Sequence, residues 1–236
     1  MFLSSDVVFL VSKVFTANIV LSVYLYKGVV IEVGAGVGNL TYKLLQLFCS
    51  RVFWLFEVNY VFCNMLVWLL TYNNVVVYHI DFLTFVFFSR IYITFVSNVP
   101  FSISTILLYK LLCYRSVIIC QYLMLQIEVY CSIFGVSRVK FFRYSFYYFY
   151  AALAHLQGYH FEPVVAVATV FFVMYPKYIP YETKAIYYFI VSYFNNLRSL
   201  FVAKFVFFRL FVSVYNVCVL FGELYFCAVC GFRVFY

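Results

Sequence analysis

The sequence predicts an α/β protein built on a parallel, doubly wound sheet, and three observations carry that reading. First, apolar runs of strand length alternate with helix-length segments from Lys27 to Gln121, a pattern that builds βαβ units rather than hairpins. Second, Val29–Val33 runs into Gly34-Ala35-Gly36-Val37-Gly38 and then Asn39-Leu40-Thr41. That is a strand, a glycine-rich turn and a helix start, and such a turn lets a nucleotide-like ligand reach the backbone. Third, a polar residue closes each of the next three apolar runs. Glu57 follows Val52–Phe56, Asp81 follows Val75–Ile80, and Asn98-Val99-Pro100-Phe101 follows Ile91–Val96. Open α/β sheets bind ligands at those strand ends.

The elements are expected in this order. Asp6–Ser22 reads as a helical opening. Lys27–Val33 is the first strand, with Asn39–Phe48 as the helix behind its turn. Arg51–Phe56 and Tyr60–Leu70 repeat the strand–helix unit, and Val75–Ile80 is the third strand. Ile91–Val96 is the fourth, ending at Asn98; helix Ser104–Cys113 leads to the fifth, Ser116–Gln121. Arg138–Tyr150 and Val164–Val173 are the late strands. Pro163, Pro176 and Pro180 punctuate the end of the domain, so residues 1–176 are read as one domain and 177–236 as a small helical one.

Composition obscures this pattern. Of 236 residues 67% are hydrophobic, 25% aromatic and only 10% charged, far from a usual globular balance. A polytopic membrane protein is the plain alternative, since Val58–Ile80 carries no Asp, Glu, Lys or Arg and is long enough to span. Asn59, Asn64, Asn73, Asn74 and His79 inside it speak against that, and no membrane association is expected. A thymine-rich coding strand explains the bias better: 32 Phe and 25 Tyr stand beside 8 Lys. This suggests a small organellar or reduced symbiont genome. The expected location is a mitochondrial matrix, for an organelle-encoded chain, or otherwise the cytoplasm of a reduced-genome bacterium.

Against that background the acids are informative. Only 8 exist, yet Glu32, Glu57 and Asp81 fall in the three proposed ligand-binding segments. The net charge of +8 is uneven, about +2 over residues 1–135 and +6 over residues 136–236. A basic second half suggests a polyanionic partner, most plausibly nucleic acid, the alternative being a solvated face. The 8 Cys show no disulfide framework and no signal peptide is expected. Cys227-Ala-Val-Cys230 is one CxxC without a second pair, so no metal site is expected.

These segments jointly resemble the KsgA-type rRNA adenine dimethyltransferase family. Val29–Thr41, Glu57, Asp81 and Asn98–Phe101 look like its four signature segments. Ser102–Leu107 resembles the family's Asn-Ile-Ser-x-Pro-Leu, Gln126-Ile127-Glu128-Val129 its Gln-Lys-Glu-Val, Ser137-Arg138-Val139 its Gly-Arg-Leu, and Phe161-Glu162-Pro163 its Phe-x-Pro. Phe2-Leu3 resembles its opening His-Phe-Leu. The Gly-Gln that precedes that motif in the family is absent here, Phe101 replaces a tyrosine, and the basic cluster of the C-terminal domain is reduced to Arg198.

The resemblance implies a Rossmann-like class I methyltransferase domain with a small helical C-terminal domain. It implies S-adenosylmethionine as cofactor, and small-subunit rRNA in a ribosomal small subunit or its assembly intermediate as partner. The cofactor would be held by Leu3, Glu32, Gly34, Gly36, Gly38, Glu57, Asp81, Phe82 and Asn98. Glu57 can accept from ribose hydroxyls and Asp81 from an adenine amine, with Phe82 near the ring; either acid can instead be a helix cap. Asn98, Val99, Pro100 and Phe101 would form the reaction centre, with Phe161 covering the far face of a flipped base. Gln126 and Glu128 are expected to brace its wall. Arg138, Lys140 and Arg143, spread along one predicted strand, and Arg198 would contact RNA phosphates. A methyltransferase-fold assembly factor with weak or no catalysis, and a relative acting on large-subunit rRNA, remain open at this stage.

Overall fold

The computed structural model describes residues 8–25, 28–87, 91–134, 144 and 146–178, with backbone only at 70 and 71. Its elements are β1 Phe9–Leu10, α1 Lys13–Ser22, β2 Val29–Val33, α2 Asn39–Leu47, β3 Val52–Glu57, α3 Tyr60–Leu66 and β4 Val75–His79. Then come β5 Ile93–Asn98, α4 Ser104–Cys113, β6 Ile118–Gln126, α5 Ile127–Phe134, β7 Tyr148–Leu156, β8 Phe161–Glu162 and β9 Thr169–Pro176.

Seven strands form one sheet in the order β4-β3-β2-β5-β6-β9-β7. The first five run parallel, while β9 is inserted antiparallel between β6 and β7. β2 is central, with β3 on one side and β5 on the other. Val30 and Ile31 have no exposed surface, as expected where helices cover both faces of a parallel sheet. The chain builds outward from β2 to β4, then crosses back to β5. That reversal between β2 and β5 is the place where such sheets open a ligand crevice. α2 packs Leu40, Thr41, Leu44 and Leu45 inward, two adjacent rows of one helical face.

The parallel half matches the expected elements closely, and helix Ser104–Cys113 has the expected bounds. The opening differs. It is a strand through Leu10, and the helix starts only at Lys13, after Ser12 accepts the Phe15 N–H at 3.5 Å. Phe9 and Leu10 pair with Glu162 and Phe161, and the Val11 and Ser12 N–H groups donate to the His160 carbonyl at 3.0 and 3.3 Å. Tertiary pairing has taken the backbone that a longer helix would use. β6 runs beyond Gln121 because β9 pairs with it as far as Gln126↔Thr169. β7 and β9 both lie later in the chain than the strands expected there, and α5 was not anticipated.

Val58–Ile80, the candidate membrane span, folds largely into α3, a 3-10 turn and β4. Among the described residues no helix is long and apolar enough to cross a membrane, and no cluster of His, Cys, Asp or Glu could hold a metal. Contacts divide the chain into two units, Met1–Lys177 and Tyr178–Tyr236. Leu3, Arg138, Lys140, Arg143, Arg198, Cys227 and Cys230 lie outside the described residues, as does nearly all of the expected C-terminal domain.

Candidate active site

Because β2, β3, β4 and β5 are parallel, their carboxyl ends share one edge. That edge gathers the turn after Val33, Glu57 at the end of β3, Asp81 just past β4 and Asn98 at the end of β5. Together they line a cleft of about 350 Å³, within the usual size range of a small-molecule site.

The glycine turn forms its floor. Gly34 has φ +70°, and a Cβ there would lie 2.5 Å from Cγ of Pro100. No side chain fits, so the turn after β2 packs directly on the turn after β5. Gly36 has φ +54°, and a Cβ would lie 2.9 Å from the Phe9 ring. Its N–H donates to Oε2 of Glu57 at 2.9 Å, while Oε1 of Glu57 accepts the Asn59 N–H at 2.9 Å. Glu57 is 6% exposed. Each carboxylate oxygen has a second lone pair for another donor, so the acid is fixed in place without being used up.

Glu32 also lines the cleft and is buried. Its Oε2 accepts the Thr41 hydroxyl at 2.6 Å. Burial raises its pKa from 4.5 to about 8, against the Thr41 hydrogen bond and aided by the negative charge of Glu57. Asp81 is exposed at the mouth. Its Oδ1 accepts the Leu83 N–H at 2.8 Å, so it also caps its own turn. Phe82 lines the wall, its ring set edge-on to Phe56 and Phe95 at 4.9 and 5.4 Å.

Asn98 stands between this pocket and the turn that follows. Its Nδ2 donates to the Val8 carbonyl at 3.4 Å, whereas its Oδ1 is buried with no hydrogen-bond partner. Val99 is fastened by its N–H to the Met124 carbonyl at 3.2 Å. The Pro100 carbonyl accepts from the Ile103 N–H and the Ser104 hydroxyl at 3.2 and 3.1 Å. Phe101 is half-buried and faces the cleft. The turn is therefore braced on both sides while one acceptor is left open.

Two expectations are corrected. Phe161 is 1% exposed and belongs to the hydrophobic core, with its backbone paired to Leu10; it does not line the cleft. Gln126 ends β6 and Glu128 is exposed in α5, and neither reaches the cleft wall. The N-terminal rim of the cleft among the described residues is Val8-Phe9-Leu10, and Leu3 lies outside those residues. Phe9 packs edge-on against Phe62 at 5.3 Å. The signal was present in the sequence: Phe9-Leu10 repeats the Phe-Leu pair seen at Phe2-Leu3.

A turn that brings backbone to the cleft at Gly34 and Gly36, an acid with open lone pairs and an aromatic wall suit a nucleoside ligand. The unpartnered Asn98 acceptor beside them suits a second ligand bearing N–H groups. Strand order, inserted antiparallel strand and cleft together define a Rossmann-like class I methyltransferase. The model of the ribosomal RNA adenine dimethylase family matches residues 5–145, and the chain belongs to that family.

Solved structures agree in fold. A dimethyladenosine transferase from Plasmodium falciparum is 22% identical with a TM-score of 0.63, the match covering 71% of this chain and 63% of that one. The 23S rRNA methyltransferase ErmE is 20% identical with a TM-score of 0.64, covering 73% and 71%. The chain thus spans less than two thirds of the Plasmodium protein. No curated protein matches it.

Proposed function

We propose that this chain methylates the exocyclic amine of adenines in small-subunit rRNA, using S-adenosylmethionine, during assembly of the ribosomal small subunit. The observation that carries the reading is the buried, unpartnered Oδ1 of Asn98 at the cleft. Leaving such an acceptor unpaired costs about 1–3 kcal/mol, and a target amine would supply the missing donor.

Gly34, Gly36, Glu57, Asp81 and Phe82 would hold S-adenosylmethionine, which when bound supplies an electrophilic methyl group. The remaining work falls to the chain. The amine of adenine is a poor nucleophile because its lone pair is delocalised into the ring. Asn98 Oδ1 and the Val99 carbonyl can accept its two N–H bonds, which draws the lone pair back onto nitrogen and fixes its direction. Pro100 keeps those acceptors preorganised. Phe101 offers a π-face to a base taken out of its stack. Rate then comes mostly from positioning, and no strong general base is needed, because a methylated ammonium loses its proton readily.

The test is transfer of labelled methyl groups from S-adenosylmethionine to unmodified small and large ribosomal subunits, followed by mapping of dimethyladenines. Label in the small-subunit rRNA supports the proposal, and label only in large-subunit rRNA redirects it. A second reading, an assembly factor of weak catalysis, is favoured by one feature. The family's Gly-Gln-His before Phe-Leu has no counterpart before Phe9-Leu10, and Val8 brings no polar side chain to Asn98. Binding to small subunits without any transfer would select that reading. The aromatic-rich, lysine-poor composition points to a mitochondrial matrix or a reduced-genome bacterium, and a coding sequence of ordinary base composition would count against this.

A further inference from the structure

Lys110 has no part in the proposed chemistry, yet its surroundings are specific. It lies in the last turn of α4, the helix that begins three residues after Phe101. Its ammonium donates to the carbonyls of Phe82 and Leu83, each at 2.7 Å, and to that of Phe85. An ammonium has three donors, and all three go to one turn of chain. That turn carries Asp81 and Phe82, the wall of the cleft beyond β4. It is organised from within by Asp81, which accepts the Leu83 N–H on its side chain and the Thr84 N–H on its carbonyl, at 2.8 and 3.0 Å. A single turn of this kind leaves carbonyls at its carboxyl end without donors of its own, and a cation there is electrostatically favoured. The same ammonium lies 5.0 Å from the centroid of the Phe82 ring, so backbone and ring of one cleft residue are tied to it.

We propose that Lys110 is a positioning residue for the cofactor's base, fixing the Asp81–Phe82 wall without touching the ligand. The proposal rests on reading the cleft as the S-adenosylmethionine site. It makes α4 a strut between two functions: its first turn continues from the reaction centre, and its last turn holds the surface on which the adenine of the cofactor would lie. Burial lowers the Lys110 pKa, against the pull of Asp81.

The test compares Lys110→Met, Lys110→Arg and the unmodified chain, by calorimetric binding of S-adenosylhomocysteine and by steady-state methylation of small subunits. Lys110→Met should raise the dissociation constant and the cofactor KM together by about tenfold, as expected when charged hydrogen bonds supporting a site are lost. Its kcat at saturating cofactor should stay within about twofold. Lys110→Arg should recover most of the affinity, since a guanidinium keeps the charge and several N–H donors.

A role in stability alone would lower the unfolding midpoint and leave KM and the dissociation constant of the folded protein unchanged, which would overturn the proposal. Hydrogen exchange on the unmodified chain keeps the question decidable if Lys110→Met does not fold. S-adenosylhomocysteine should slow exchange of the Thr84 and Phe85 amides, and unchanged exchange there would overturn it. An unmodified chain that binds no S-adenosylhomocysteine overturns the reading of the cleft and this proposal with it. Binding that Lys110→Met leaves intact overturns this proposal alone.

Discussion

Asn98 is held by its nitrogen and left open at its oxygen, and that asymmetry can be tested. Asn98→Ala should abolish methyl transfer, keep cofactor affinity within about threefold and leave stability unchanged or higher by about 1 kcal/mol, because it removes an unsatisfied buried acceptor. Methylation at a normal rate, or a large loss of stability, would show that the oxygen is not reserved for substrate. Glu32 is the second residue whose state departs from the ordinary. Its pKa rises from 4.5 to about 8 on folding, so the folded chain binds this proton more tightly than the unfolded one. The stability it confers is full below pH 4.5 and is lost as pH climbs through about 8. Glu32→Gln keeps an acceptor for Thr41 and has no proton to lose. Urea midpoints at pH 5 and pH 9 should fall steeply for the unmodified chain and less for the variant; equal falls would remove Glu32 from that role.

The elements that were legible in the sequence are those that end in punctuation. Gly34 closes β2, Glu57 closes β3, Asp81 follows β4, and Asn98 with Pro100 closes β5. A polar or conformationally special residue stands out however apolar the rest of the chain is, and those same residues make the cleft. What was not legible depends on long-range pairing. β1 and β8 define each other, and the bounds of β6, β7 and β9 follow from the register among them. Where apolar residues fill nearly every position, neither the helical nor the strand period shows. The same saturation hid single aromatics, so that Phe9 and Phe161 could not be told apart as rim and core. Phe9→Ala should weaken cofactor binding about five- to tenfold by removing the ring from Gly36 and Phe62, with the unfolding midpoint little changed. Unaltered affinity in that variant would mean the N-terminal rim is only packing.

At the scale of the whole molecule the charge is divided, with +6 of the net +8 carried by residues 136–236. Each phosphate contact releases counterions, so affinity for small subunits should fall steeply with salt. Removing residues 178–236 should flatten that slope and weaken subunit binding more than cofactor binding. A soluble truncated chain with an unchanged slope would place the RNA contacts elsewhere. The insertion of β9 between β6 and β7 also has a consequence in time. The sheet is not closed in the order in which it is synthesised. Until Pro176 has left the ribosome, β7 has no partner and one side of β6 is bare, with Val170, Phe171 and Phe172, all buried in the finished fold, not yet in place. Translation adds roughly 5–20 residues per second, so β6 waits for its covering strand for a time on the order of seconds, its free edge bare while the chain is still tethered and kept from its neighbours.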